Sequence, residues 1–379
     1  MFSLDNFYRI LYNNLLEPCD IFGHVLHTED ATVQEVMSKP EHIQTLPMNH
    51  VIFYDQEPLS SSSIYKMITN GLFFTVPHST KKIIFANSEI SDFKNTLLND
   101  LNLLDWYFFS HGFIALDWFR DAKYLLIDKT SSFDKVFIMY NNLILKDRSY
   151  RLGIVADILK RGLRAQGLIS LPLVDHYHGK YLNEVFDTNS KLDKEHKKLI
   201  LETIHKLPEP LSIDSSRVNG TFSAKLNLYE NQRAFWHVVS ETNFYHKKLH
   251  LTEKVFKPIV SYRPFILCCA PGNLKYLRSY GFKTFGDFID ESYDDEIDDN
   301  KRMSMIVDEI EKLCVLTPTQ QREMFDAMKP ILEHNFNHFY GDFKKIIVDE
   351  MVYGFGECVD GTFDDSSIDY AAVAKKLTQ

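Results

Sequence analysis

The sequence predicts an α/β protein with mainly parallel sheets, divided between two domains. Three observations point there. Apolar runs recur at intervals of helical length, at 51–54, 82–86, 105–109, 135–140, 168–171, 236–239 and 264–269. Runs of this kind, each ending in a polar or glycine-containing turn, suit strands buried on both faces of a parallel sheet. A helical segment over 151–164 joins two of them, with Leu152, Val155, Ala156, Leu159 and Leu163 at helical spacing. The chain also has 379 residues, beyond the size at which one hydrophobic core usually keeps growing.

Taken in order, VIFYDQEPL carries a short strand into a polar turn at Pro58, and Ser60 to Ser63 cap a helix over 64–69. The next strand stops at Asn87-Ser88-Glu89, and the one after it at a turn containing His111-Gly112. The fourth leads through a loop to Arg148-Ser149-Tyr150-Arg151 and the long helix, which Gly167 ends before the strand at 168–171. The stretch 176–214 is polar and charged, with a solvated helix stopped by Pro208 and Pro210. The acidic run 287–302 reads as a solvated cap or loop, since it lacks the glycine and terminal glutamate of an EF-hand loop. Helices are expected over 303–313 and 320–348. The expected division is 1–130, then 131–330, with helices and a tail over 331–379 that cross back to the first domain. No internal repeat of solenoid period is present.

Composition is that of a folded chain, 45% hydrophobic and 25% charged, and the 29 Phe and 19 Tyr read as core. A formal net charge of -10 argues against a wholly basic nucleic-acid coat, while leaving room for a local basic groove. The five cysteines form no CxxC pair, which fits a reducing compartment, and Cys268-Cys269 read as small buried hydrophobes. Neither a signal peptide nor an apolar run long enough to span a membrane is indicated, so a cytoplasmic protein is expected.

The chemistry-bearing residues gather after two of the strands. Glu241 follows Val238-Val239, and Asn243 lies two residues on. Thr252-Glu253-Lys254 then opens an amphipathic segment leading to the 264–269 strand. Ligands of open α/β sheets bind beyond the carboxyl ends of the strands, where helix N-termini also point. A carboxylate and a lysine there suit a ribose hydroxyl and a diphosphate, the parts of an activated sugar donor. The plainer alternative is a surface cap with Thr252 at its head, although Val255 leaves the capping box incomplete. Arg148 and Arg151, three apart, suit the two phosphates of such a donor, or else the ordinary solvated face of a helix. Neither GxGxxG nor GxxxxGK[ST] occurs. Asp55, Glu57 and His111, at strand ends in the first domain, are candidates for a base that removes a hydroxyl proton. His176 and His178 near Asp175 lack a third ligand at metal-binding spacing, so no metal is expected.

The block 240–265 resembles the donor-binding motif of the α-1,3-fucosyltransferase family. In that family an acidic residue and an Asn precede Thr-Glu-Lys, a helix, and a strand entered by a Pro-containing turn. Here these correspond to Glu241, Asn243, Thr252, Glu253, Lys254 and Pro264. Phage and marine-virus glycosyltransferases are similar over a longer stretch, through Pro271-Gly272, the 281–285 GFKTF and the 291–294 ESYD. Looser likeness extends to 53–58 and 137–170. The resemblance implies a GT-B-like fold of two Rossmann-like domains, their parallel sheets facing across a cleft. It further implies inverting, metal-independent transfer of a sugar from a nucleotide-diphosphate donor to an acceptor hydroxyl, with no cofactor. Glu253 would hold the donor ribose, and Lys254, Arg148 and Arg151 the diphosphate. Glu57 matches the Glu of the family's Glu-Ser-Pro element, with Pro58 following it directly. The implied acceptor is a glycan or a hydroxymethylated base of double-stranded DNA. For DNA, Lys81, Lys82, Lys94, Lys160, Arg161 and Arg164 would have to gather beside the site. The other expectation is a non-catalytic viral structural or ligand-binding protein that retains the fold.

Overall fold

The structure is a computed structural model. It describes residues 9–16, 19–23, 50–54, 82–90, 104–130, 132–175, 180–181, 191–213, 223–245, 247–359 and 369–378. The chain forms two compact units, one of residues 1–117 with 341–379 and one of residues 118–340. The sequence reading set its divisions at 130/131 and 330/331.

In the first unit, β1 (Cys19–Gly23), β2 (His50–Tyr54), β3 (Lys82–Asn87) and β4 (Leu104–Tyr107) form one sheet in that order. Every neighbouring pair is parallel. Val51, Ile52, Ile84, Phe85, Ala86 and Trp106 are buried in it, as the apolar runs require. Beyond β4 the structure corrects an expectation. His111-Gly112 is not a turn but the start of helix α1 (Ser110–Trp118), whose first seven residues are all buried. A side chain at Gly112 would meet the ring of Phe343 at 3.0 Å, so the helix approaches its neighbour closely only because position 112 has none.

That neighbour is α9 (Asp342–Val359), which with α10 (Tyr370–Thr378) completes the first unit from the far end of the chain. Trp106 Nε1 donates to Met351 O at 2.9 Å, and the Trp106 ring meets Phe355 edge-on. Glu350 accepts from the backbone N–H of Phe109 at 2.8 Å.

The second unit contains β5 (Lys135–Met139), β6 (Gly167–Ile169), β9 (Ala234–Ser240) and β10 (Phe265–Cys268), in sheet order β10-β9-β5-β6 and all parallel. A short antiparallel ladder, β7 (Val174–Asp175) with β8 (Lys180–Tyr181), stands apart. All seven residues of β9 are buried, consistent with a central strand. The helices are α2 (Tyr150–Lys160), α3 (Lys194–Glu202), α4 (Leu228–Arg233), α5 (Phe256–Val260), α6 (Asn273–Ser279), α7 (Asp299–Cys314) and α8 (Pro318–Tyr340). Helix α2 stops short of the expected 164, because Gly162 turns left-handed at φ 74° and a 3-10 turn follows. The helix expected over 320–348 is two helices, α8 and α9, parted at Gly341.

The acidic run also departs from expectation. Asp294 is buried, and its carboxylate accepts from Leu274 N at 3.1 Å and Lys275 N at 3.4 Å. It caps the start of α6, a role that partners twenty residues upstream conceal from local sequence. Among the described residues no helix is long and apolar enough to cross a membrane.

Candidate functional site

Strand order in the second unit places a topological switch point at its carboxyl edge. From β5 the chain passes through α2 to β6 on one side, whereas β9 pairs on the other side of β5 and is followed outward by β10. The loops after β5 and β9 therefore diverge, leaving the kind of switch point at which open α/β sheets bind ligands. The expected donor-side residues lie in these two loops and the turns that follow them.

Asn141, just past β5, ties three strand ends together. Its N–H donates to Ser170 Oγ at 2.9 Å, its amide donates to Ser170 O at 3.0 Å, and its side-chain oxygen accepts from Ser240 Oγ at 3.0 Å. Arg151 extends this brace. Its Nη1 donates to Leu143 O at 2.8 Å, and its Nη2 to Ser240 O and Glu241 O, both at 3.0 Å. Tyr150 adds a 2.6 Å bond from its hydroxyl to Glu241 O. Arg151 is 3% exposed. Its guanidinium thus satisfies backbone carbonyls at the carboxyl edge of the sheet. Arg148 lies in the preceding 3-10 turn, Lys146–Arg148, and is half-buried. The two arginines belong to different elements and do not form one helical clamp.

The loop after β9 is held rigidly. Phe244 stacks on Tyr150 with centroids 4.2 Å apart, and the Arg302 guanidinium lies 4.2 Å from the Phe244 centroid. Arg302 also donates to Phe244 O at 2.6 Å. Asn243 O accepts from Ala270 N at 2.9 Å and from Cys269 Sγ at 3.1 Å, which seats the loop over the end of β10.

On this loop Glu241, Thr252 and Lys254 form one chain of hydrogen bonds. Buried Glu241 accepts from Thr252 Oγ1 at 2.6 Å, from Thr252 N at 3.3 Å and from Thr242 N at 3.2 Å. Lys254 Nζ donates to Thr252 Oγ1 at 3.0 Å and to Thr242 Oγ1 at 3.2 Å, and lies 3.6 Å from Glu253 Oε1. The Lys254 side chain keeps 30% of its surface exposed, whereas that of Glu253 keeps 5%. Thr252 caps the 3-10 turn Glu253–Val255 by accepting from Lys254 N, and α5 continues directly from that turn. The cap and the lysine cradle are therefore one structure rather than alternatives. The amide nitrogen of Asn243 is buried and has no hydrogen-bond partner, an unspent donor beside the same loop.

Sequence reasoning missed Lys257, one turn beyond Glu253 on the same short helical segment. Burial pushes its ammonium down to about 8, opposed by the Glu253 carboxylate, and its Nζ donates to Lys225 O at 3.1 Å. Its spacing from Glu253 was the signal available. Among the residues considered for DNA, Arg161 is paired with Asp157, Asp308 and Glu311 at 2.8, 2.6 and 2.7 Å. His111 is buried in the first unit, at the second residue of α1. Asp55, Glu57, His176 and His178 lie outside the described residues. Among the described residues no group of three metal-ligating side chains comes together.

The arrangement presents a partly exposed ammonium, a carboxylate beside it and an unspent amide donor, fixed at a sheet switch point. An ammonium, a carboxylate and an amide donor are the group types that suit an anion carrying hydroxyl groups. Comparison with protein-family models, with curated proteins and with solved structures returns no match.

Proposed function

We propose that the second unit binds a nucleotide-diphosphate sugar at the β5–β9 edge, and that the chain is a glycosyltransferase delivering that sugar to an acceptor hydroxyl. The observation that carries this reading is the Lys254 ammonium, held by two threonine hydroxyls and left partly open at the switch point. Lys254 meets the diphosphate, Glu253 the ribose and Asn243 a remaining acceptor atom of the donor. Arg151, Asn141 and Tyr150 hold the floor, so donor-binding groups need little rearrangement. As the diphosphate leaves with the bonding electron pair, Lys254 stabilises its charge. The GT-B reading goes with this assignment, the second unit taking the donor and the first unit the acceptor, a glycan or a hydroxymethylated base in duplex DNA. Transfer is inverting, metal-independent and needs no cofactor.

The test is thermal stability of the purified chain with UDP, GDP, CMP and ADP, then with their common sugar conjugates. A ligand that binds the folded state raises its stability by mass action, about 2.7 kcal/mol at a hundredfold excess over Kd. One nucleotide should raise the melting temperature, and Lys254→Ala and Glu253→Gln should each remove the effect. Stabilisation that survives both substitutions would place the donor elsewhere.

A further inference from the structure

Among the described residues of the second unit, two that are not glycine adopt left-handed backbone, Lys146 at φ 51° and Tyr262 at φ 57°. Tyr262 has a local reason. It follows the end of α5, where Arg263 N donates to Pro258 O at 2.9 Å, the usual closure of a helix by a left-handed residue. Lys146 ends no helix. It is the second residue of the turn 145–148, closed by a 2.9 Å bond from Arg148 N to Leu145 O, at a place that suits glycine or asparagine. Such backbone is sterically costly for a side chain-bearing residue, persists only where its surroundings enforce it, and gathers at ligand sites.

The surroundings fix this turn from both ends. Before it, Ile144 and Leu145 are buried and Leu143 O is held by Arg151. After it, Asp147 pairs with Lys191 at 3.2 Å, and the Lys191 ammonium lies 5.2 Å from the Tyr245 centroid. Ser149 Oγ and the Tyr245 hydroxyl are 2.9 Å apart, which ties the turn to the loop after β9. Lys146 itself is exposed, and no carboxylate among the described residues pairs with it. Charge adds to conformation. Buried Arg151 donates to carbonyls and to the Tyr150 hydroxyl, so no carboxylate neutralises it. Its guanidinium joins Leu143 O to Glu241 O. Lys146 lies three residues past Leu143, and Lys254 bonds Thr242, the neighbour of Glu241. Two lysines thus rise from the two loops that one buried cation joins.

We infer that Lys146 is the second phosphate-binding cation of this site, so that the site takes a nucleoside diphosphate in preference to a monophosphate. The inference rests on the donor reading above, in which Lys254 meets the diphosphate. It assigns the two ammonium groups to separate phosphates, each acting as a point charge and hydrogen-bond donor.

Calorimetric titration of the full chain tests it, comparing the nucleoside diphosphate that stabilises the chain with the monophosphate of the same nucleoside. Lys146→Gly removes the ammonium and accepts the left-handed backbone, so the variant should unfold at no lower urea concentration than wild type. Its Kd for the diphosphate should rise about tenfold or more, the scale of one charge-assisted hydrogen bond, while its Kd for the monophosphate stays within about threefold of wild type. Lys146→Arg should restore diphosphate binding, because it returns the charge to the same turn. Diphosphate affinity within about threefold of wild type in folded Lys146→Gly overturns the inference. Equal losses for the two nucleotides overturn it too, as does a wild-type chain that prefers the monophosphate. Should Lys146→Gly fail to fold, Lys146→Asn, which also tolerates this backbone, gives the same comparison, and failure of both assigns Lys146 to the fold alone. If wild type binds no nucleotide, the donor reading falls and this inference with it. If wild type binds and Lys146→Gly loses nothing, the donor reading stands and only this inference falls.

Discussion

At the scale of single residues, the sharpest distinction is between Arg151, which holds the fold, and Lys254, which faces outward. Removing the Arg151 guanidinium leaves buried carbonyls at 143, 240 and 241 without its donors. Each such loss costs about 1–3 kcal/mol, so Arg151→Met should destabilise the second unit by roughly 3–5 kcal/mol in urea unfolding. Lys254→Ala, by contrast, removes a partly exposed group and should change stability by less than about 1 kcal/mol while abolishing nucleotide binding. Equal unfolding midpoints for Arg151→Met and wild type, with nucleotide binding lost, would return Arg151 to the phosphate. Two buried groups set the acid response, with opposite signs. Burial raises Asp294 from 3.8 to about 6, so between those values the native state holds a proton that the unfolded chain lacks. Stability from this group therefore falls as pH rises through that window. Burial lowers His237 from 6.5 to about 3, so there the unfolded chain binds the extra proton and stability falls as pH drops. Across about pH 4 to 6 the two slopes oppose each other. Asp294→Asn should be more stable than wild type at pH 7 by up to about 3 kcal/mol, with the gap closing by pH 4. It should also show a steeper acid loss, because His237 is then uncompensated. A gap that stays constant with pH would rule out Asp294 as its source.

Among elements, the turn after α6 shows how α8 is docked. Gly281 adopts φ 89°, and a side chain there would meet the His338 ring at 2.7 Å. His338 bonds Tyr280 O at 2.7 Å, and Asn335 pairs with both backbone groups of Lys283 at 2.8 Å. Gly162, with φ 74°, has nothing within 4 Å of the same position. Gly162→Ala should cost only the backbone term, about 1–2 kcal/mol, while Gly281→Ala should cost roughly 2–4 kcal/mol because the clash adds to it. Denaturant midpoints of the two variants measure the difference, and equal losses would mean that His338 moves aside freely. These elements also show what local sequence reveals. The strands of the second sheet were legible because strands buried on both faces are largely apolar, as β9 is apart from His237 and Ser240. The Glu241 and Thr252-Glu253-Lys254 cluster was legible because it follows such strands. Arg151 was not, since an arginine in a helix's first turn looks solvated until the carbonyls of 240 and 241 arrive from 89 and 90 residues away. The break at Gly341 was missed because apolar periodicity continues on both sides of it.

For the whole molecule, the notable fact is that the first unit is made from two distant pieces of chain. The backbone leaves it after Asp117 and re-enters at Gly341, so α9 and α10 serve a sheet laid down more than two hundred residues earlier. Phe343, Ile347, Met351, Val352 and Phe355 of α9 are all buried. At about 1.5–3 kcal/mol for each fully buried side chain, losing these five removes roughly 10 kcal/mol of burial, comparable to the whole stability of a typical domain. A chain ending at Tyr340 should therefore keep a folded second unit and lose the first. Hydrogen exchange read by mass spectrometry should find β9 and β10 protected in the truncated chain, with β3, β4 and α1 exchanging freely. Nucleotide-induced stabilisation should persist in it, since Glu241, Thr252, Glu253 and Lys254 all lie within the second unit. Protection of β4 equal to that in the full chain would show that α9 is dispensable to the first sheet. Loss of nucleotide stabilisation from a still-protected second unit would show that the donor site needs the first unit as well, and the assignment of donor to one unit and acceptor to the other would have to be given up.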